Sequence, residues 1–162
     1  MADRWVVNAS PLILPGKAEV VRFLPSLCDE LVVPAGVVAE VQRGQVADAA
    51  RRWLATDGGK FVRPAVPIPP ALKDWNGGAG EAEVIAWALA HAGFTAVLDD
   101  RAARRLAKDH GVPVLGSLGI ILKAKEHGLI SAVRPALEKL RSGGAYVSDD
   151  LIDHAIALAG EA

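Results

Sequence analysis

The sequence predicts an α/β fold of three layers: a central parallel sheet of about five strands, with helices on both faces. Three observations lead there. Five short apolar runs alternate with segments of helical periodicity. The runs are continuously apolar rather than alternating, as expected of strands buried on both faces. The intervening segments are long enough for crossover helices, and right-handed crossovers then wind an open α/β/α sheet. The 162 residues are 51% hydrophobic and 23% charged. That suits one packed domain over residues 1–162, with helices of about 131–160 laid on it.

Each element has a local reason. Trp5-Val6-Val7 reads as the first strand, and Asn8-Ala9-Ser10-Pro11 ends it with small polar residues and a helix-starting proline. Val20, Val21, Leu24 and Leu27 recur at helical spacing, which predicts a helix over Lys17–Leu27. Leu31-Val32-Val33 is the second strand, and Pro34 opens a helix to about Arg43 with Val37, Val38 and Val41 as its apolar stripe. Ala47–Leu54 reads as a short helix, Phe61-Val62-Arg63 as a weak third strand, and the proline-rich 64–78 as a loop. Gly80–Ala92 is a helix closed by Gly93, and Thr95–Leu98 a strand ended by Asp99-Asp100. A helix over Arg101–His110 leads to a fifth strand, Val112–Leu115. Ser117 is placed to cap a helix over Leu118–His127, and Ser131–Arg141 forms the next helix. Tyr146-Val147 is a short extended piece before Ser148 caps Asp149–Ala159.

Composition excludes several functions. A single cysteine, Cys28, forbids an internal disulfide framework and a cysteine-rich zinc site, and suits a reducing cytoplasm. The longest stretch without Asp, Glu, Lys or Arg is Val84–Leu98, 15 residues, too short to span a bilayer. No basic segment followed by an apolar run marks a signal peptide, so a cytoplasmic location without membrane partners is expected. Net charge is −1, yet residues 101–141 carry nine Lys and Arg against three Asp and Glu. That segment is +6 and the remainder −7.

In a wound open sheet, sites form at the carboxyl ends of the strands. Asn8 and Ser10 follow the first strand, Glu40 lies in the helix after the second, Glu81 and Glu83 open the helix before the fourth, and Asp99 and Asp100 follow the fourth. Singly each has a local explanation. Asn8 suits an Asx-turn, the two glutamates suit a helix dipole, and either aspartate suits an N-cap. Glu40 is three residues from Val37 and one from Val41, at the edge of the buried stripe. Together the acids repel unless a cation joins them. An all-oxygen set without His or Cys favours Mg²⁺ or Mn²⁺ over Zn²⁺. Glu40, Glu81 or Glu83, and Asp99 or Asp100 are therefore expected to converge on one ion near Asn8.

Five stretches carry a resemblance: W-V-V-N-A-S-P-L-I-L, V-V-P-A-G-V-V-A-E-V, G-A-G-E-A-E-V-I-A-W-A, A-V-L-D-D-R-A-A-R-R-L-A and V-L-G-S-L-G-I-I-L-K-A-K. In this order, and through nearly the whole chain, they resemble the PIN-like domain family of small prokaryotic nucleic-acid-binding proteins related to toxin–antitoxin ribonucleases. The resemblance implies an α/β/α fold, three or four acids around Mg²⁺ or Mn²⁺, and hydrolysis of RNA phosphodiester bonds. Carried onto these residues, the first acidic position falls on Asn8 and the second on Glu40. The third falls on Glu81, with Glu83 as its alternative, and the fourth on Asp99 or Asp100. Ser10 matches the hydroxyl residue of the first motif, Ser117 offers a hydroxyl beside the site, and both are expected to contact the nucleic acid. The usual first acid is Asp; Asn8 keeps a carbonyl oxygen and loses the charge. A non-catalytic nucleic-acid-binding or antitoxin-binding module is thus the alternative to a nuclease.

Arg101, Arg104, Arg105 and Lys108 fall at i, i+3, i+4 and i+7, one face of a helix that begins beside Asp99-Asp100. Such a ridge suits a phosphodiester backbone. Aromatics are 5% of the chain, which points to backbone and shape recognition over base stacking, and the RNA is expected to be single-stranded. The expected partners are RNA, a small antitoxin protein and a second copy of the chain in a homodimer.

Overall fold

A computed structural model describes residues 3–44, 48–145 and 147–161. Its sheet has five strands, all parallel: β1 Arg4–Val7, β2 Glu30–Pro34, β3 Val62–Arg63, β4 Phe94–Val97 and β5 Val114–Leu115. Their order is β3-β2-β1-β4-β5. Trp5 lies beside Leu31 and Thr95, and Val7 beside Val97. The chain leaves β1 towards β2 and β3 on one side and later adds β4 and β5 on the other. The strand order therefore reverses between β1 and β4, and a crevice opens there at the carboxyl ends.

Nine helices among the described residues flank the sheet: α1 Ser10–Lys17, α2 Leu24–Leu27, α3 Ala35–Gln42, α4 Ala49–Ala55, α5 Ala79–Ala90, α6 Arg101–Asp109, α7 Ser117–Glu126, α8 Val133–Ser142 and α9 Asp149–Leu158. One group joins α3, α5 and α6; another joins α1, α7 and α8, with α9 on α8. Between them Val6, Val7, Val33, Ala96, Val97, Ile85, Ile120 and Ile121 are fully enclosed. Each large side chain so buried contributes about 1.5–3 kcal/mol, which is why the apolar runs become strands despite their shortness.

The principal departure from the sequence reading is the first helix. It spans Ser10–Lys17, not Lys17–Leu27. Pro11 takes a first-turn position there, where no N–H is needed. Glu19 has φ 61°, which no right-handed helix contains, so the chain breaks there. A 3₁₀ turn at Val21–Phe23 and one helical turn at Leu24–Leu27, with Pro25 near its start, replace the expected continuation. Val20, Val21, Leu24 and Leu27 are buried as their spacing suggests, through a different backbone path.

Smaller differences concern caps. Asp48 caps α4 by accepting from the N–H groups of Ala50 and Arg51 at 2.9 and 3.4 Å; the expected start at Ala47 lies outside the described residues. α5 ends at Ala90 with His91 as its extended C-cap, whose N–H donates to Trp87 O at 2.9 Å; Gly93, expected to close the helix, lies in the following turn with φ 94°, a conformation that favours glycine. Asp100, not Asp99, caps α6, accepting from Ala103 N–H at 2.9 Å. Ser148 caps α9 as expected. Ser117 does not cap α7: it is the helix's first residue, and its side chain turns elsewhere. Val147 belongs to no strand, and Tyr146 lies outside the described residues. Among the described residues no helix is long and apolar enough to cross a membrane.

Candidate functional site

The crevice at the switch point is a cleft of about 500 Å³, lined on its polar side by Asn8, Ser10, Glu40, Glu81, Asp99, Asp100 and Ser117. Backbone geometry puts them there. Asn8 N–H donates to Val97 O at 3.1 Å, extending the β1–β4 ladder by one residue and bringing Asn8 alongside Asp99-Asp100. Glu40 reaches in from α3, whose Val37 and Val41 are buried while Glu40 is exposed. Glu81, the third residue of α5, accepts from Gly78 N–H at 3.0 Å through Oε1, the capping geometry of a helix N-terminus. Glu83 lies outside the cleft, with its carboxyl folded over Gly36 of α3.

Two oxygens in this cleft are buried without a hydrogen-bond partner, Asn8 Oδ1 and Glu81 Oε2. Buried acceptors left unpaired are uncommon and call for an explanation. Gly80, in the first turn of α5, shows how close the donors stand. A Cβ built there would lie 2.9 Å from Glu40 Oε2 and 3.0 Å from Asn8 Oδ1. A side chain at this position would fill the space those two oxygens share. The glycine of G-A-G-E is thus a site residue that helix propensity alone does not reveal, although a glycine inside a helical pattern is a signal.

Among the described residues, no three Asp, Glu, His or Cys side chains are spaced to hold one ion directly. The expected convergence is therefore a ring around the cleft rather than a closed shell. Hard oxygens at this wider spacing suit a hydrated cation, since Mg²⁺ usually keeps several of its waters and takes one or two carboxylates. The orphaned Asn8 Oδ1 and Glu81 Oε2 are the acceptors such an ion or its waters would satisfy.

Electrostatics agrees with that crowding. Burial pushes the Glu81 carboxyl up from its ordinary value of 4.5, and the charges of Asp100 and Glu40 push it further, against the hydrogen bond from Gly78. A raised carboxyl favours the protonated fold. Stability from this group is full below the unfolded value and is lost as pH rises through the higher folded one. The metal-free protein is expected to lose stability as pH rises above about 4.5 through that window. Glu81→Gln is expected to flatten that loss, as followed by thermal melting across pH in EDTA.

Asp99 differs from its neighbours. Its Oδ2 accepts from Ser10 Oγ at 2.8 Å and from Ser117 Oγ at 2.6 Å, and its Oδ1 accepts from Ser117 N–H at 2.7 Å. Ser10 and Ser117, expected as nucleic-acid contacts, direct their hydroxyls at this carboxylate instead. Ser117 is only 3% exposed.

On the far side of Asp99 lies a second depression of about 470 Å³, lined by Arg101, Arg104, Arg105, Lys108 and Asp109. Asp99 borders both spaces. Arg101, Arg105 and Lys108 are exposed, as the helical spacing requires. Arg104 departs from the expected outward ridge. It is half-buried, and its Nη1 donates to Leu98 O at 3.1 Å, tying α6 to the end of β4. The opposite wall of the acidic cleft is apolar, with Leu14, Leu118, Leu137, Leu140 and Leu151 from four helices. Nothing local in the sequence marks that wall, because it exists only once α8 and α9 pack.

The fold and this arrangement define a PIN domain. A family model described as PIN domain matches residues 4–161, and the chain belongs to that family, whose fold is a nuclease fold. Neither the curated proteins nor the solved structures compared with the chain give a match.

Proposed function

We propose that the protein is a metal-dependent endoribonuclease of PIN type, the toxin of a toxin–antitoxin pair, cleaving single-stranded RNA in the cytoplasm. The observation that carries this reading is the shared border at Asp99. An acidic cleft with two orphaned acceptors adjoins a groove bearing three exposed cations. Glu40, Glu81, Asp99, Asp100 and the Asn8 carbonyl would hold Mg²⁺ or Mn²⁺. When bound, the ion supplies charge neutralisation at a phosphodiester and a water of lowered pKa. Arg101, Arg105 and Lys108 hold flanking phosphates. Among the described residues, those lining the groove and the cleft include no aromatic, which favours phosphate and sugar contacts over base stacking. A second copy of the chain and a small antitoxin protein complete the proposed assembly.

The deciding experiment is incubation of a generic single-stranded RNA with the protein in Mn²⁺, Mg²⁺ and EDTA. Internal cleavage that EDTA abolishes, and that Glu40→Gln with Glu81→Gln removes, supports the reading. Asn8 favours a second reading, a PIN module that binds nucleic acid or an antitoxin without cutting, because the site lacks one anionic ligand. RNA binding with no cleavage in either metal would establish that reading instead.

The groove gives a separate prediction. Arg101→Ala, Arg105→Ala and Lys108→Ala together should reduce the slope of log affinity against log salt by about 2, at ~0.7 per phosphate contact on a single strand. Arg104→Ala should act mainly on stability, because it frees the Leu98 carbonyl. Binding measured by fluorescence anisotropy between low and moderate salt checks this; an unchanged slope in the triple variant assigns the cations to a solvated helix face.

A further inference from the structure

We propose that Ser117 is a positioning residue of the acidic cleft: its hydroxyl and N–H fix the Asp99 carboxylate for the cation rather than contacting nucleic acid. The inference rests on the metal-dependent reading above and names a device within that site. Three strand ends meet at one carboxylate. Ser10 follows β1, Asp99 follows β4 and Ser117 follows β5, and the bonds of 2.8, 2.6 and 2.7 Å join all three. The sheet's own ladder runs on to Asn8 N–H on Val97 O and Leu98 N–H on Leu115 O, at 3.1 and 2.9 Å, and the bonds to Asp99 carry the tie between the three turns one to two residues further.

The donor count makes the assignment specific. Oδ2 receives two hydroxyl donors and Oδ1 one N–H, so the carboxylate plane is set from two sides. The one unused acceptor site on Asp99 is therefore on Oδ1. Asp100 spends its Oδ2 on capping α6, and Glu81 spends its Oε1 on Gly78, each leaving one oxygen. Every acid that faces the cleft from the end of β4 or from α5 is thus oriented by a donor of this chain, with at least one acceptor site spare. Ser117 contributes two of the three donors on Asp99 and is 3% exposed, so it is out of reach of a ligand in the groove. Outer-shell partners of this kind typically cost 10–100-fold in metal affinity or activity when removed, about the range expected here.

The test is Mn²⁺ affinity by titration calorimetry on the full chain, for the parent, Ser117→Ala, Ser117→Thr and Lys73→Ala. Ser117→Ala keeps the backbone N–H and loses the hydroxyl; it should weaken Mn²⁺ by about 10-fold or more. Ser117→Thr restores a hydroxyl and should return to within about threefold of the parent, on the same scale. Lys73 is exposed and lines neither the cleft nor the groove, so Lys73→Ala should leave Mn²⁺ affinity unchanged. Melting in EDTA verifies that all four proteins fold. Should Ser117→Ala reduce folding at the assay temperature, the same titration is made with Ser10→Ala, which removes the other hydroxyl from Oδ2. Equal affinity in the parent and Ser117→Ala overturns the inference while leaving the nuclease reading intact. Equal weakening in Ser117→Ala and Ser117→Thr also overturns it, since the hydroxyl would then not be the cause. A parent that binds no Mn²⁺ while folded defeats the metal reading and this inference with it.

Discussion

Asn8→Asp should bind Mn²⁺ at least tenfold more tightly than the parent, a gain of about 1.4 kcal/mol, and cleave RNA faster. The Asn8 carbonyl oxygen is buried, lacks a partner and sits within about 3 Å of the point that Glu40 also approaches. An anionic oxygen there meets a cation directly instead of through a dipole. Without metal the change works in the opposite direction. A further negative charge joins Glu40, Glu81 and Asp100, and at these separations that costs on the order of 1–2 kcal/mol. The metal-free variant should melt lower than the parent. Excess Mn²⁺ should then raise its melting temperature more than the parent's, because binding to the native state alone adds RT ln(1 + [L]/Kd). Melting in EDTA and in Mn²⁺, with cleavage of single-stranded RNA alongside, gives both signs in one set of samples. A variant that neither loses stability in EDTA nor gains it in Mn²⁺ would place position 8 outside any metal site and favour the non-catalytic reading.

The sheet was legible because burial on both faces writes itself as short continuous apolar runs, and all five appear within two residues of where they were expected. The cleft was legible in outline because a parallel sheet sends every strand end to one edge. Asn8, Glu40, Glu81, Asp99 and Asp100 all reach it. What the sequence concealed are decisions among chemically equal residues. Glu81 and Glu83 share one helix turn, and only packing against Gly36 draws Glu83 away. Asp99 and Asp100 are adjacent and identical, yet one caps α6 and the other ties three turns together. Ser117 looks like a helix cap by position, but its hydroxyl meets a carboxylate 18 residues earlier in the chain, a stronger partner than a backbone N–H. Helical spacing put Arg104 on the outward cationic face; it could not anticipate that Leu98 presents a carbonyl within reach, which turns Arg104 inward and leaves it half-buried. The misplacement of the first helix has the same origin. Apolar spacing is satisfied by 3₁₀ turns as well as by an α-helix, so the pattern alone does not choose between them.

The second large effect has the opposite sign from the first. Removing an acid from a crowded cleft should relieve repulsion, and for Glu81 that relief is the expected outcome. Asp99→Ala should instead destabilise the metal-free protein by about 2–4 kcal/mol. Hydrogen bonds to a charged acceptor are worth about 1.5–3 kcal/mol each, and three are lost together, less than additively. Ser117 is buried, so its N–H and hydroxyl are left without water to replace the carboxylate. Against this, separating one charge from Asp100, Glu81 and Glu40 across a hydrated cleft returns only about 1 kcal/mol. The bonds outweigh the repulsion, and a fall of about 5–12 °C in melting temperature follows for a chain of this size. Asp100→Ala is the matched control. It loses one N-cap, worth about 1 kcal/mol, and relieves a similar repulsion, so its net effect should be near zero. Chemical denaturation of both variants in EDTA separates the two adjacent aspartates without any assay of activity. If Asp99→Ala proved as stable as Asp100→Ala, the triple hydrogen bond would not hold the strand ends, and Asp99 would have to be treated as one more repelling acid of the cleft.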